Sequence, residues 1–195
     1  MANFGNYDIP LFEDDIQTIK EFFRIALNTI VFHRWLGESK FEDTESIFSN
    51  ITYVKIKNES LQKTIEFNVS QLEKSILKSN RVQVSLKFYQ KKIQKFYIMQ
   101  ELTNLWEKWE FLFAIKKNTD VINTQKENKI REYLSYILEK LNDKFDFMPD
   151  FDVDSQLPEE TFPFEININA NISDDDFLSL IKDMSIKSAL KEDVI

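Results

Sequence analysis

Among 195 residues there is one histidine, His33, and no cysteine. A histidine-based triad or a multi-histidine metal centre therefore lacks members, and thiol-ligated zinc, a disulfide framework and a cysteine nucleophile are excluded. At the end of a helix, a lone histidine serves as a packing or surface group that suits the negative dipole end, or as a contact for a partner. The run Asp150, Asp152, Asp154 has the start of a calcium-loop spacing, but it has no glycine at the sixth position and Thr161 at the twelfth. Asp174, Asp175 and Asp176 read as first-turn acids of a helix. With glycine only at 5 and 37, neither a phosphate loop nor a dinucleotide fingerprint can be written. Carboxylates are plentiful, yet no spacing selects a pair for acid and base work. The sequence predicts no enzyme and no cofactor.

A different chemistry is written between Gln90 and Leu105. Lys91, Lys92 and Lys95 run directly into Phe96, Tyr97 and Ile98, with Met99 behind them. Such a stretch either tucks into a core or forms an exposed apolar tip beside positive charge, suited to anchoring a partner or touching a membrane surface. A platform for single-stranded nucleic acid also mixes aromatics with lysines. A net charge of −8 argues against that use.

Two strands must hold this loop. Val82, Val84, Leu86 and Phe88 alternate with Gln83, Ser85, Lys87 and Tyr89, and Trp109, Phe111, Phe113 and Ile115 alternate with Glu110, Leu112 and Ala114, as buried strands do. The pair is expected side by side in the centre of a sheet. Around it, helical spacing predicts helices over 15–34, 59–79 and 124–145, the last opened by Thr124 and Glu127 at capping-box spacing. Alternation predicts strands over 51–57 and 162–170, and a short strand over 7–12 whose Pro10 restricts it to an edge. Gly37 ends the first helix or opens the loop after it. A final short helix follows the Ser173–Asp176 capping box, through Phe177, Leu180, Ile181 and Met184. Residues 146–161 are acidic, contain Pro149 and Pro158, and read as a mobile connection. Hydrophobic residues make up 43% of the chain, enough for one sizeable core. No run approaches the roughly 20 apolar residues of a spanning helix, so a non-secreted, soluble protein without a transmembrane segment is expected.

The phrases TIVFHR at 29–34 and ITYVKI at 51–56, and above all SLKFYQKK at 85–92 followed by WEKW at 106–109, resemble the autophagy-related protein 101 family. The resemblance implies a single α+β HORMA domain over 1–195: a central, mainly antiparallel sheet backed by three helices, with a mobile C-terminal region. It further implies a non-catalytic adaptor of the autophagy-initiation kinase complex, at the cytoplasmic phagophore assembly site. Such an adaptor pairs with the HORMA domain of autophagy-related protein 13, stabilises it, and recruits downstream factors through a protruding Trp-Pro-Phe finger. Carried onto this sequence, the finger is the loop 93–105, where Lys95 precedes Phe96, Tyr97 and Ile98 in place of Trp, Pro and Phe. His33 and Arg34 match the family's pair at the partner-facing end of the first helix. The rival reading is a HORMA adaptor of the checkpoint or meiotic type, which closes its C-terminal segment around a peptide.

Overall fold

The computed structural model describes residues 5–35, 39–48, 50–94, 100–116, 123–142 and 163–192, with 90–94, 100–103 and 184–192 described by backbone alone. The element order is β1 (Gly5–Asp14), α1 (Ile16–His33), β2 (Phe41–Glu45), β3 (Thr52–Ile56), α2 (Glu59–Ser79), β4 (Arg81–Gln94), β5 (Gln100–Ile115), α3 (Asn123–Asn142), β6 (Phe164–Asn169) and α4 (Asp174–Glu192). The class is α+β, with a mixed four-stranded sheet in the order β1-β5-β4-β6 and a separate hairpin of β2 and β3. Among the described residues, β1 and β5 run parallel while β4 pairs antiparallel with both β5 and β6.

The helix starts follow from side chains that satisfy free amides. Asp15 Oδ1 accepts from the Gln17 and Thr18 amides at 2.9 and 3.1 Å, and Asn58 Oδ1 accepts from Leu61 at 2.9 Å. Burial works against the Asp15 charge, but hydrogen bonds from Lys126 and Thr18 outweigh it and bring the pKa down to about 2. At the far end of α2, Asn80 takes the left-handed conformation at φ 59° and its amide closes on the Ile76 carbonyl. At α4, Ser173 Oγ accepts from the Asp176 amide and donates to its carboxylate, so that capping box forms as the spacing predicts.

Because α1 is apolar around most of its girth, it can be covered on several sides at once. It lies against the sheet, with Phe22 stacked on Phe12 at 4.3 Å and Phe23 edge-on to Phe111 and Phe113. Arg24 reaches Glu66 at 2.7 Å and Lys20 reaches Glu73 at 2.7 Å, tying α1 to α2. On α3, Ile130, Ile137 and Leu141 join the same core. The opposite face of the sheet is covered at one end by α4, whose buried Phe177 packs with Leu112 and Ala114. Arg81 pairs with Asp174 at 2.5 Å beside it.

The structure departs from the sequence expectations in several places. The loop expected over 93–105 is shorter, since β4 and β5 stay paired out to Gln94 and Gln100. The sequence did not announce that ladder, because Gln90, Lys91 and Lys92 offer no apolar alternation. The polar stretch 38–50 contains β2, which forms by pairing Phe41–Glu45 with β3. The Thr124 box is not made as expected: α3 begins at Asn123, and the Glu127 carboxylate accepts from Asn50 at 2.8 Å. The final helix expected after Ser173 is present as α4 but runs 19 residues instead of being short. The strand expected over 162–170 and the helix after it are present as β6 and α4, which join the sheet and cover part of its second face. The connection expected over 146–161, Gly37, and residues Lys95, Phe96, Tyr97 and Ile98 lie outside the described residues.

Candidate partner interface

The last turn of α1 tightens, with the Arg34 amide on the Val31 carbonyl at 3.1 Å and the Trp35 amide on Phe32 at 3.2 Å. This sends the Arg34 side chain inward while His33 stays half-buried at the surface. Arg34, 4% exposed, donates from Nε to Glu107 Oε2 at 2.8 Å. The second oxygen of Glu107 accepts from Trp109 Nε1. Trp109 in turn stacks on Tyr7 at 4.3 Å, and the guanidinium carbon lies 5.9 Å from the centre of the Trp106 ring. Burial pushes the Glu107 carboxyl up from its usual range, and the Arg34 charge with the two donated hydrogen bonds recovers only part of that shift.

A β-bulge makes this cluster possible. Phe88 pairs with Glu107 but Tyr89 pairs with Leu105, leaving Trp106 as the additional residue on β5. Neighbours in a regular strand face opposite ways, whereas here Glu107 and the adjacent Trp106 ring both meet the Arg34 guanidinium. The bulge also marks where the sheet ends. Pairing of β1 with β5 begins at Gly5 and Glu107, and that of β4 with β6 stops at Phe88 and Phe164. Past the hydrogen bond from the Tyr89 amide to the Pro163 carbonyl, β4 and β5 continue as a ribbon with no third strand beside it among the described residues.

His33 Nδ1 lies 2.8 Å from the Thr29 carbonyl oxygen. A carbonyl can only accept, so Nδ1 carries a proton, and in the neutral ring this leaves Nε2 as an acceptor. Phe32 meets the His33 ring edge-on at 5.4 Å and Phe41 at 5.2 Å, and Phe41 is 49% exposed. Trp35 Nε1 is buried without a hydrogen-bond partner among the described residues. The end of α1 thus presents an imidazole acceptor beside an aromatic edge, a composition suited to a protein contact.

The two expected contact residues therefore divide. His33 is available at the surface, while Arg34 is held inside the fold and can influence a partner only by fixing the helix end. Glu107 was missed in the sequence. Its signal was a charge in phase with Trp109, Phe111 and Phe113, a core-facing position that demands a buried partner. Among the described residues no group of three or more potential metal ligands occurs. The run Asp150, Asp152, Asp154 is outside them, and Asp176 serves the helix cap. No described helix is long and apolar enough to cross a membrane.

The sequence model of the family described as autophagy-related protein 101 matches residues 12–155. The chain belongs to this family. The autophagy-related protein 101 of Arabidopsis thaliana is 27% identical to it over 176 residues, covering 77% of this chain and 80% of that protein. Family membership gives the chain a role in autophagy. The matched stretch contains His33, Arg34, Glu107 and the whole ribbon of β4 and β5.

Proposed function

We propose that the chain is a single HORMA domain over 1–195 and a non-catalytic adaptor of the autophagy-initiation kinase complex. It forms a heterodimer with the HORMA domain of autophagy-related protein 13, stabilises that domain, and acts in the cytoplasm at the phagophore assembly site. Family membership supports the autophagy role, and the observation that carries the pairing is the surface made by His33, Phe32 and the exposed Phe41 at the end of α1. Arg34 belongs to the pairing as a positioning residue, because its buried bond to Glu107 fixes that end of the helix. In this reading Lys95, Phe96, Tyr97 and Ile98, which follow β4 in the sequence, recruit downstream factors or touch a membrane surface. The pairing of β4 with β5 out to Gln94 and Gln100 supports this reading. Nucleic acid is not a partner, in keeping with the acidic balance.

His33→Glu places a charge where the partner needs a neutral acceptor. Its expected effect is a loss of about tenfold or more in affinity for the partner domain, roughly 1.4 kcal/mol, with an unchanged melting temperature. Titration calorimetry of both chains measures this. Equal affinities would remove His33 from the interface.

A further inference from the structure

Helix α2 sorts its charges between two sides. Glu66 and Glu73 turn toward α1, where Arg24 meets the first at 2.7 Å and Lys20 the second at 2.7 Å. Leu61, Ile65, Val69, Leu72 and Ile76 are buried, which leaves one side of the helix to solvent. On that side Lys63, Phe67, Lys74 and Lys78 are all exposed and share an arc of about 60° over roughly 22 Å of helix. Leu77 stands at the margin of the arc. Phe67 is 61% exposed and Leu77 60%, so both tips are open to a ligand.

The strip inverts the charge of the molecule around it. Lys63 meets Glu59 one turn earlier at 2.5 Å, but among the described residues Lys74 and Lys78 have no ion-pair partner. No carboxylate lies within the arc, in a chain that carries −8 overall. A local excess of cations on an acidic protein selects an anionic ligand.

The spacing of the apolar tips decides what kind. Phe67 and Leu77 stand about 15 Å apart along the axis, and Ser70, Gln71 and Lys74 separate them on the exposed side. A partner helix needs apolar residues at every third or fourth position to form a seam, and a stable protein interface covers on the order of 1,200 Å² or more. Two isolated tips supply neither. A lipid surface imposes no register: bulky side chains enter between headgroups wherever they stand, and lysines beside them meet the lipid charges.

We propose that the outer face of α2 docks the protein on an anionic membrane surface, with Phe67 and Leu77 entering the headgroup layer and Lys63, Lys74 and Lys78 against the lipid charges. The contact is peripheral. It stands apart from the pairing described above, because α2 runs antiparallel to α1: Gln62 donates to Asn28 at 3.1 Å, whereas Glu73 meets Lys20. Lys74 and Lys78 therefore lie at the end of α1 remote from His33.

The test uses the absence of cysteine. The exposed Ser70 is changed, Ser70→Cys, and labelled with an environment-sensitive dye; a second chain carries the label through Ser135→Cys on α3, the helix whose tyrosines reach β1. With vesicles of phosphatidylcholine containing about one-third phosphatidylserine, emission at 70 should shift to the blue, and emission at 135 should not. Phosphatidylcholine alone should leave both unchanged, and added salt should reverse the shift. In the labelled chain, Lys74→Gln should weaken partitioning about fivefold, and Lys74→Glu combined with Lys78→Glu should abolish it with the circular dichroism of the parent. The proposal is overturned if the dye at 70 ignores the anionic vesicles or responds equally to neutral ones. Retained vesicle binding by the doubly charged-reversed chain overturns it too, and would place any membrane contact elsewhere, the segment Lys95–Ile98 included. A dye that ignores vesicles but shifts with a helical peptide of glutamate and leucine would overturn it in favour of a protein ligand.

Discussion

Arg34→Met lowers the stability of the fold by about 3–5 kcal/mol at neutral pH, because it leaves the Glu107 carboxylate buried without its cation. The loss depends on pH in a direction fixed by the Glu107 shift. Its folded-state pKa lies above the ordinary value, so between the two the native state holds a proton that the unfolded chain has released. The contribution of Glu107 to stability therefore falls as pH rises through that window and is regained as pH drops back through it. Removing Arg34 raises the folded-state value further and widens the window upward. The penalty of Arg34→Met must then shrink as pH is lowered toward the ordinary glutamate range, about 4.3. Urea unfolding of parent and variant at about pH 7 and about pH 5 measures the change. A penalty that is the same at both would mean that Glu107 does not take up a proton. Arg34→Met combined with Glu107→Gln should recover most of the loss, since glutamine still offers Trp109 an acceptor and brings no charge.

Trp109→Ala is expected to cost a comparable amount, about 3–5 kcal/mol. The side chain is fully buried, stacks on Tyr7, and donates one of the hydrogen bonds that hold Glu107. Truncation leaves a cavity between β1 and β5 and removes that donor. Phe67→Ala on α2 is the contrast, because Phe67 is 61% exposed and its loss should stay within about 0.5 kcal/mol. Chemical denaturation of the three chains distinguishes them. A Trp109 variant no weaker than the Phe67 variant would show that the cluster beneath α1 does not hold the sheet together.

These effects trace what could be read along the chain and what could not. The helices from Ile16 and Glu59 and the alternating faces of Val82–Phe88 and Trp109–Ile115 were legible, because caps and apolar spacing are local signals. The Ser173 box was legible for the same reason. The strand FEDTE was not, since its charges give no alternation and only the neighbouring β3 makes it a strand. Nor was the length of the ribbon, since Gln90, Lys91 and Lys92 give no apolar alternation to mark it. Thr124 and Glu127 had capping spacing, but a tertiary partner, Asn50, claims the carboxylate. His33 and Arg34 were singled out through the family resemblance, while the contact that buries Arg34 joins it to a glutamate 73 positions away. No local pattern announces such a pair. The bulge at Trp106, which turns two consecutive residues inward, is likewise a property of the pairing.

The central claim is association with a second HORMA domain, and light scattering after size exclusion tests it most directly. Mixed at micromolar concentration, the purified chain and the HORMA domain of autophagy-related protein 13 should elute as one peak with the mass of a one-to-one complex, and His33→Glu should shift that peak toward the separate components. Two peaks at the masses of the free proteins, unchanged by mixing, would contradict the account.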